Sequence, residues 1–483
     1  MDAQFDLLVI GGGVVGCAIA REMARTSWKI GLLEKHLDVG REASGRNSAV
    51  LHGGFAYDTG TLKARFCVEG NAEFDAVAAE LDVPFKRTGK VLVGNTPEDL
   101  ASLRRTLETG RANGARELCL IDGRRLHELV PAVVGEFALY SPTSGILDPF
   151  LYTTALAENA VNNGAQFFLG AEVTAIARQD GVWRLQTPRG EFTSRWVVNS
   201  AGLGCGEISR MLGLPHYRIL GSKGDYIILD KRVGPLLPMP VYPVPSNTYM
   251  GIHVTPTVDG NVTVGPNAEY VRDFDYYGVP QASIDSLAGS ANRLWPCIRR
   301  EDYIRNYSGI LSKWVDEDGA IHDFTIEARP EAPNTVNLIG IESPGLTAAL
   351  PIARYVAGLI REREDFGVNP RFDPRRKGIV RFAGASDEER AALIEADPNY
   401  GELVCRCEQV TRAELLRAIH NPLGAHTMTA IKYRTRCMMG RCQGGYCQMR
   451  LARMIEEELG LAPGEVLYER PGSGLFTGRV REE

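Results

Sequence analysis

The sequence has no apolar run long enough to cross a membrane. The longest one, residues 7–20, is interrupted by glycines and is shorter than the roughly 20 residues that a spanning helix needs. Acidic Asp2 and Asp6 precede it, where a secretory signal would carry positive charge. The sequence therefore predicts a cytoplasmic protein with no direct membrane span, linked to a membrane only through a partner.

The sequence also has no excess of positive charge. It carries 54 Lys and Arg against 60 Asp and Glu, a net charge of −6, whereas a dedicated nucleic-acid-binding protein is normally basic. We therefore exclude nucleic acid as a partner, while a small anionic substrate stays compatible with local clusters of cations. The 44% hydrophobic and 24% charged residues are typical of globular proteins. A length of 483 residues predicts about three domains.

Cysteine is scarce and unevenly placed. Five of the ten cysteines stand singly and are interpreted as buried thiols: Cys17, Cys67, Cys119, Cys205 and Cys297. The other five crowd into the last sixth of the chain: Cys405, Cys407, Cys437, Cys442 and Cys447. Because disulfides are rare in the cytosol, this crowding indicates a metal site.

The N-terminus predicts a strand–helix–strand unit. An apolar run at residues 5–10 has the length of a buried parallel strand, residues 14–23 have a helical pattern, and residues 29–33 form a second strand. Such a unit opens many nucleotide-binding folds.

The turn of this unit carries a glycine fingerprint. Gly11 permits a tight turn, Gly13 lets the backbone approach a pyrophosphate, and Gly16 lets the helix pack on the strand. Glu34 lies 18 residues after Gly16, where a carboxylate can bind ribose hydroxyls. The pattern predicts a dinucleotide site. Because the fingerprint occurs once and at the very N-terminus, we expect FAD held as a prosthetic group.

The spacing of the C-terminal cysteines suits an iron–sulfur cluster. One residue separates Cys405 from Cys407, 34 residues precede Cys442, and four lie between Cys442 and Cys447. Two close pairs can deliver four thiolates to one centre, and a Cys-x-Cys pair favours a 2Fe–2S cluster. A structural zinc ion, whose pairs are usually two to four residues apart, and plain thiols remain alternatives.

Over about residues 4–360, an ordered series of segments resembles the D-amino-acid-oxidase-like FAD oxidoreductases. Within this family, the resemblance is greatest to L-2-hydroxyglutarate dehydrogenases and their relatives. Beyond the glycine turn, the matching segments are residues 44–54, 62–65, 84–90, 145–149, 223–226, 242–245, 251–255, 265–268 and 343–347.

This resemblance implies further FAD-binding residues. Together with the three glycines and Glu34 they are Lys35, Ser44, Asn47, Ser48, Val173, Ala201, Gly202, Gly345, Leu346 and Thr347. The last three would begin a helix whose N-terminus faces the N1–O2 edge of the flavin. Reduced flavin is negative there, and helix N–H groups would stabilise that charge.

Residues 435–447 are similar to the bacterioferritin-associated-ferredoxin-like domain, which is appended to anaerobic glycerol-3-phosphate dehydrogenases and to opine and proline dehydrogenase subunits. The resemblance implies that the ligands of the 2Fe–2S cluster are Cys405, Cys407, Cys442 and Cys447. Cys437 falls where relatives often lack a cysteine and is interpreted as a spare packed thiol.

Two histidines and two lysines are the candidate catalytic residues. His52 and His253 are candidate bases because imidazole titrates near neutral pH, and the resemblance places His253 over the flavin. Leu311 stands where relatives carry an arginine for the substrate carboxylate, so Lys313 or Lys223 would take that role. A lysine is a point charge and not a bidentate guanidinium, which leaves the acid itself open.

The resemblance implies an FAD-dependent dehydrogenase that oxidises the CH–OH group of a small anionic substrate. Electrons would pass through the 2Fe–2S cluster to an electron-accepting flavoprotein or membrane subunit and not to oxygen. An L-2-hydroxy acid resembling 2-hydroxyglutarate is the first expectation. Glycerol 3-phosphate, an amino or imino acid such as proline or an opine, and a non-catalytic electron-transfer subunit are the alternatives.

The expected fold class combines α/β and α+β. A Rossmann-like FAD-binding domain, residues 1–85, 145–215 and 326–365, would hold an inserted β-rich substrate domain, residues 86–144 and 216–325. The charged, proline-bearing residues 366–399 predict a linker. Residues 400–483 would form a small helical iron–sulfur domain and a tail.

Overall fold

The computed structural model describes residues 3–215, 217–245, 251–476 and 478. The strands are β1 (Phe5–Ile10), β2 (Ile30–Glu34), β3 (Val50–Leu51), β4 (Phe85–Lys86), β5 (Lys90–Gly94), β6 (Cys119–Asp122), β7 (Phe137–Ser141), β8 (Gly145–Leu147), β9 (Gln166–Leu169), β10 (Ala175–Gln179), β11 (Val182–Thr187), β12 (Gly190–Asn199), β13 (Arg218–Leu229), β14 (Val241–Pro243), β15 (His253–Pro256), β16 (Val262–Gly265), β17 (Glu269–Val271), β18 (Tyr303–Val315), β19 (Thr325–Glu327), β20 (Thr335–Ile339), β21 (Leu403–Cys405) and β22 (Val410–Thr411).

The α-helices are α1 (Val14–Met23), α2 (Leu62–Leu81), α3 (Pro97–Ala112), α4 (Gly123–Leu129), α5 (Pro149–Asn162), α6 (Cys205–Met211), α7 (Gln281–Leu294), α8 (Gly345–Arg361), α9 (Asp387–Ala396), α10 (Arg412–Ile419), α11 (Met428–Thr435) and α12 (Gln448–Leu459). Within the described residues, no helix combines the length and the apolar character needed to cross a membrane.

The first sheet is parallel at its centre and is covered on both faces. Its order is β10-β11-β12-β1-β2-β9, with β20 beside β12 and β19 beside β20. β1 pairs in parallel with both β2 and β12, so Val9 lies opposite Leu32 and Val198. Helices α1, α2, α5 and α8 share the core of one face, and α6 packs on the other. Burial on both faces explains the continuous apolar run of β1.

The second sheet is mostly antiparallel and comes from two separate stretches of chain. Its order is β17-β13-β16-β15-β14-β5-β7-β6, with β18 on the other side of β13. β14 pairs in parallel with β5 and thereby joins the two stretches. Helix α7 covers one face, where Leu287 and Trp295 are fully buried. A small third sheet, β3-β8-β4, links this layer to the first unit.

The C-terminal unit is small and helical. Helix α10 begins at a capping box in which Thr411 and Glu414 bond each other's backbone N–H groups. Helix α12 packs Leu451, Met454 and Ile455 against α10 and α11 in a shared core. Helix α11 ends at Arg436, which adopts a left-handed conformation with φ of +69° and redirects the chain into the cysteine segment.

The segment predicted as a linker, residues 366–399, differs from that expectation. It contains α9, which begins at a capping box formed by Ser386 and Glu389. Arg376 is 7% exposed and its guanidinium lies 2.6 Å from the carboxylate of Glu158 on α5. The charges that suggested a free spacer are therefore used in contacts that fix the segment to the first unit.

Candidate active site and cluster centre

One cavity of about 1250 Å³ runs between the two large sheets. Its walls include the glycine turn at one part and His52 and His253 at another. The strand ends of β1 and β2 and the first turn of α8 also reach it, through Ile10, Glu34 and Gly345. A dinucleotide and a small substrate can thus share one continuous space.

The glycine turn has the geometry that a pyrophosphate site requires. Gly11 has a φ of +103°, and a Cβ there would lie 2.6 Å from the carbonyl oxygen of Ser200. A Cβ on Gly16 would lie 2.0 Å from the carbonyl oxygen of Gly11, and one on Gly13 would lie 3.2 Å from Ser44 Oγ. Bare backbone therefore faces the cavity at the N-terminus of α1, where N–H groups attract anions.

Glu34 lies at the end of β2 and lines the cavity. Its carboxylate accepts hydrogen bonds from the N–H groups of Gly12 at 2.5 Å and His36 at 2.8 Å. Burial raises the pKa of this carboxyl group. Lys35 also lines the cavity, with its Nζ 2.7 Å from Glu42. Both residues thus lie on the cavity wall, and their contact with FAD stays a prediction.

The segment from Ser44 to Ser48 follows the cavity wall. Ser44 Oγ accepts a hydrogen bond from Val14 N–H at 2.9 Å, which ties the segment to the start of α1. Asn47 Nδ2 donates to the carbonyls of Ala43 and Ser44, while the Tyr307 hydroxyl donates to the carbonyl of Asn47 at 2.8 Å.

On the far side of this segment, Ser48 Oγ lies 3.1 Å from the Tyr226 hydroxyl. The Tyr226 and Tyr307 rings stack at 4.6 Å, so the segment is held against the second sheet.

The remaining predicted FAD-binding residues divide into two groups. Those that line the cavity are Val173, Ala201, Gly202, Gly345 and Leu346. Thr347 lies behind the wall: it is 1% exposed, and its Oγ1 accepts a hydrogen bond from His52 N–H at 3.1 Å. Thr347 therefore fixes the backbone of His52 and does not face the cavity.

The residues present fit FAD. Arg41 lines the cavity, and its Nη1 is buried with no hydrogen-bond partner among the described residues, which suits a phosphate oxygen. The N-cap residue of α1, Gly13, has no side chain, and Ser44 Oγ accepts only the Val14 N–H of the first turn, so an anion can approach the rest of this turn. The carboxylate of Glu34 and the bare glycine turn complete the donor and acceptor set.

His52 is a neutral, buried imidazole on the cavity wall. Burial, with a smaller contribution from the nearby Lys90, lowers the pKa of His52 to about 3. Its carbonyl accepts hydrogen bonds from Asn71 Nδ2 at 2.9 Å and from the Cys67 thiol. The ring is therefore uncharged at neutral pH and can accept a proton.

His253 is also neutral and is held rigidly. Its Nδ1 lies 3.0 Å from Thr255 Oγ1, and its ring stacks on Tyr242 at 3.8 Å. Burial, Lys90 and His52 together place its pKa well below the usual value. With Nδ1 engaged by Thr255, Nε2 is the ring nitrogen available to a substrate.

Lys90 is a cavity residue that sequence reasoning missed. It lies at the start of β5, is 1% exposed, and lines the cavity with its Nζ 3.6 Å from the centre of the Tyr242 ring. Burial lowers its pKa to about 7. Among the described residues, no carboxylate or carbonyl is bonded to Nζ, so its charge is free to meet an anionic ligand.

Lys313 and Lys223, the two predicted substrate cations, have different positions. Lys313 lines the cavity and pairs with Glu342 at 2.7 Å, a carboxylate that it shares with Lys63. Lys223 is fully buried and pairs with Asp225 at 2.6 Å. Its neighbours Ser222 and Gly224 line the cavity whereas Lys223 does not, because successive strand residues face opposite sides. The expectation for Lys223 is therefore wrong.

The C-terminal cysteines lie in two groups, whereas the sequence predicted one set formed by Cys405, Cys407, Cys442 and Cys447. The Sγ atoms of Cys405, Cys437 and Cys447 lie within 4.8 Å of one another and are buried. Cys407 and Cys442 are exposed and contact each other through a side-chain hydrogen bond. Four thiolates for a 2Fe–2S cluster are present, and Cys437 lies beside two of the predicted ligands. The equal spacing of Cys437, Cys442 and Cys447 was the signal available in the sequence.

Hydrogen bonds from Cys437 and Cys447 lower the pKa of Cys405 to about 2. Cys405 therefore ionises more readily than Cys437 and Cys447, whose pKa values are raised because their thiols are hydrogen-bonded to Cys405. Iron binds the thiolate form of cysteine. The donor set fits the cluster.

The cluster unit is docked on the first unit through buried contacts. Arg434 on α11 is 2% exposed and forms a bidentate pair with Asp38, at 2.7 and 2.9 Å. Tyr433 stacks on Phe150 of α5, with ring centres 4.0 Å apart. A Cβ on Gly45 would lie 3.3 Å from Phe150, so this contact abuts the Ser44–Ser48 segment. The cysteine segment and the cavity wall are thus neighbours.

Comparisons with known proteins agree with both centres. Residues 6–359 match the family described as "FAD dependent oxidoreductase", and residues 403–457 match the "BFD-like [2Fe-2S] binding domain". The chain is 36% identical to "Glycerol 3-phosphate dehydrogenase" from Caloramator mitchellensis, over 99% of this chain and 100% of the relative. It is 30% identical to the mitochondrial L-2-hydroxyglutarate dehydrogenase of Arabidopsis thaliana, over 73% and 83% of the two chains.

Solved structures show the same architecture. L-alpha-glycerophosphate oxidase from Mycoplasma pneumoniae, solved with FAD bound, aligns with a TM-score of 0.73 and 25% identity over 78% of this chain and 99% of that one. Glycine oxidase from Geobacillus kaustophilus aligns with a TM-score of 0.67 and 23% identity, over 78% of this chain and 100% of that one. The predicted fold class and both predicted cofactors are confirmed. The chain belongs to the DAO family of FAD-dependent oxidoreductases and carries a C-terminal BFD-like 2Fe–2S domain.

Proposed function

We propose that the protein is a dehydrogenase that oxidises the CH–OH group of glycerol 3-phosphate. The observation that carries the proposal is the group formed by Lys90, His52 and His253 in the cavity: one free cation beside two neutral imidazoles. Such a group suits a substrate with an anionic end and a hydroxyl that must lose a proton. FAD, when bound, accepts the hydride from the carbinol carbon.

The residues have separate tasks in this proposal. Lys90 binds the anionic group of the substrate, and within the part of the chain that the structure describes it has no ion pair to give up. His253, whose ring is fixed by Thr255 and Tyr242, accepts the hydroxyl proton at Nε2. His52 completes the wall, and its backbone is fixed by Thr347. Oxidation removes one hydride and one proton from the CH–OH group of the substrate and so converts this group to a ketone.

Two observations favour a phosphate over a 2-hydroxy acid. The similarity to the Caloramator glycerol 3-phosphate dehydrogenase extends through the cluster domain, whereas the similarity to the L-2-hydroxyglutarate dehydrogenase of Arabidopsis thaliana covers 73% of the chain. Leu311 lines the cavity, and it stands where the family resemblance implies an arginine for the substrate carboxylate. We therefore propose glycerol 3-phosphate before an L-2-hydroxy acid, the opposite of the order expected from the sequence.

An L-2-hydroxy acid is the second candidate. Identities of 27–30% to L-2-hydroxyglutarate dehydrogenases support it. Lys63 and Lys313 line the cavity and share the carboxylate of Glu342, so two ammonium groups lie close together where a second carboxylate could bind. Both candidates are dianions, which agrees with the cations of this wall.

An anaerobic substrate series tests the proposal. Holoprotein is mixed with glycerol 3-phosphate, L-2-hydroxyglutarate or L-proline, and flavin reduction is followed by visible absorbance. We expect rapid reduction by glycerol 3-phosphate and slow or no reduction by the others. Faster reduction by L-2-hydroxyglutarate would assign the second candidate, and no reduction by any compound would support an electron-transfer subunit.

A variant and an aerobic control sharpen this test. His253→Gln should slow flavin reduction by about 100-fold or more, the range for loss of a general base. We further propose that a protein, and not oxygen, is the main acceptor. Hydrogen peroxide formed in equal amount to substrate consumed would contradict this part.

A further inference from the structure

The two exposed cysteines mark the outer edge of the cluster domain. Cys407 and Cys442 are exposed and in contact, whereas Cys405 and Cys447 are buried. Because electron transfer weakens steeply with distance, an acceptor must approach the cluster at its exposed edge. The side chains around Cys407 and Cys442 therefore decide which acceptor can dock.

These side chains are positively charged, in contrast to the whole chain. Residues 415–455 contain seven Lys and Arg and no Asp or Glu, although the net charge of the protein is −6. Part of this charge is neutralised inside: Arg434 pairs with Asp38, and Arg436 pairs with Asp259 and Glu408. Other cations of the cluster domain stay at the surface, although Arg441 also pairs with Asp230 at 3.4 Å: Arg406, Arg441, Arg450 and Arg453.

Arg406 and Arg450 meet at one aromatic ring beside the exposed cysteines. The guanidinium of Arg406, which lies between Cys405 and Cys407, is 4.4 Å from the centre of the Tyr446 ring, and that of Arg450 is 4.8 Å from it. Tyr446 is 37% exposed and Met449 is 45% exposed. We call Arg406, Arg441, Tyr446, Met449 and Arg450 the cationic surface.

We propose that the cationic surface docks an acidic one-electron carrier protein. Tyr, Met and Arg are the residue types enriched at the centres of protein interfaces, and here they adjoin the exposed cluster edge. Opposite charge on the partner would accelerate the encounter and orient it. The two electrons of one substrate molecule would leave in two such encounters.

A lipid surface fits the cationic surface less well. A helix that lies on a membrane needs a free apolar face. The apolar face of α12, formed by Leu451, Ala452, Met454 and Ile455, is buried in the core of its own domain. Only Tyr446 and Met449 offer exposed apolar area on the cationic surface. This favours a protein partner.

The test compares native with succinylated cytochrome c, which present the same haem with positive and negative protein charge respectively. Holoprotein is reduced with dithionite, freed of the excess, and mixed with either protein. One electron passes from the reduced cluster to each ferric haem, with no bond or proton transferred. We expect at least tenfold faster oxidation of the cluster by the succinylated form at low ionic strength, and loss of this difference at high salt.

Charge reversal at the cationic surface supplies the matched variant. Arg406→Glu/Arg450→Glu should reverse the preference between the two cytochromes. The control Arg104→Glu/Arg178→Glu makes the same change in net charge at exposed positions on α3 and β10 and should keep the wild-type preference. The EPR signal of the reduced cluster, retained in both variants, verifies that the domain is folded.

Three results would overturn the proposal. The first is faster oxidation by native cytochrome c, and the second is an equal effect of both double variants. The third is binding to phosphatidylglycerol vesicles that Arg406→Glu/Arg450→Glu abolishes, because it would assign the surface to a membrane. Since dithionite supplies the electrons, none of these results depends on the substrate proposed above.

Discussion

At the scale of single residues, Lys90 gives the sharpest prediction. Its pKa near 7 means that the amine is charged below pH 7 and loses its charge as the pH rises. Binding of an anionic substrate should therefore weaken above pH 7, and kcat/KM should fall there. Lys90→Met should raise KM about 10- to 100-fold, change kcat less, and remove this part of the pH profile, as measured by steady-state kinetics.

Lys223→Met is the matched control for Lys90. Both lysines are buried, but Lys223 is paired with Asp225, which would be left as an unpaired buried carboxylate. We expect a loss of about 3–5 kcal/mol in the free energy of unfolding, measured by denaturant titration, and an unchanged KM for the folded protein. If Lys223→Met raised KM and Lys90→Met left KM unchanged, this result would contradict our assignment of the two lysines.

The difference between Lys90 and Lys223 also shows what sequence reasoning could reach. Residue types and the resemblance indicated His52 and His253, and both line the cavity. Whether a lysine on a strand faces the cavity depends on the register of that strand, because a shift of one residue moves each side chain to the other face of the sheet. The register of β13 against β18 is set by pairing between distant segments, so the sequence alone did not contain it.

At the scale of elements, the β1–turn–α1 unit predicts a specific loss of cofactor. A Cβ on Gly16 would lie 2.0 Å from the carbonyl oxygen of Gly11, and backbone cannot move aside without opening the turn. Gly16→Ala should therefore give protein with little bound FAD, measured by visible absorbance after gel filtration. Gly358→Ala on α8 is the control, because nothing lies within 4 Å of its added Cβ, and it should retain FAD. Equal FAD content in both variants would contradict the assigned role of the turn.

The cysteine segment gives a second prediction at this scale. Cys442→Ser should abolish the EPR signal of the reduced cluster and leave flavin reduction by substrate largely intact, because the flavin cavity lies in other elements. Cys437→Ser should retain the signal, since Cys437 is expected to be a spare thiol. If Cys437→Ser loses the signal and Cys442→Ser retains it, Cys437 is a ligand in place of Cys442. The position of Cys437 beside Cys405 and Cys447 allows this outcome.

Elements with clear end signals were predicted with the bounds observed. The strand over residues 5–10 and the helix over residues 14–23 have the bounds observed for β1 and α1. Helix α9 was missed because its charged residues within a proline-bearing stretch resembled a linker. Apolar runs thus located elements, whereas the capping box of α9 did not, because it stands within a charged stretch.

At the scale of the whole molecule, the contact between Arg434 and Asp38 couples the cluster domain to the flavin domain. Arg434→Met would leave Asp38, 3% exposed, without its partner. We expect a cost of about 3–5 kcal/mol and earlier proteolysis of the C-terminal domain. Arg412→Met is the control in the same domain, because its partly exposed pair with Glu458 at 3.6 Å is worth at most about 1 kcal/mol. Equal losses in the two variants would contradict a special role for the buried pair.

The arrangement of the units was the least predictable part. Composition and resemblance indicated two cofactor domains and a substrate domain inserted into the FAD-binding domain, and the boundaries of these domains stay a prediction. The contacts that join these units connect Asp38 to Arg434 and Phe150 to Tyr433, residues separated by hundreds of positions. No local pattern marks such pairs, since each residue alone resembles an ordinary surface or core position.

The outward position of Cys407 and Cys442 has a practical consequence for the isolated protein. Small oxidants would reach this edge of the cluster directly, while the residues that would hold FAD line the long cavity between the two large sheets. Air should therefore strip iron and sulfide first, and the solution should change from brown to yellow on storage. The ratio of the two colours then measures how much of each preparation can still pass electrons onward.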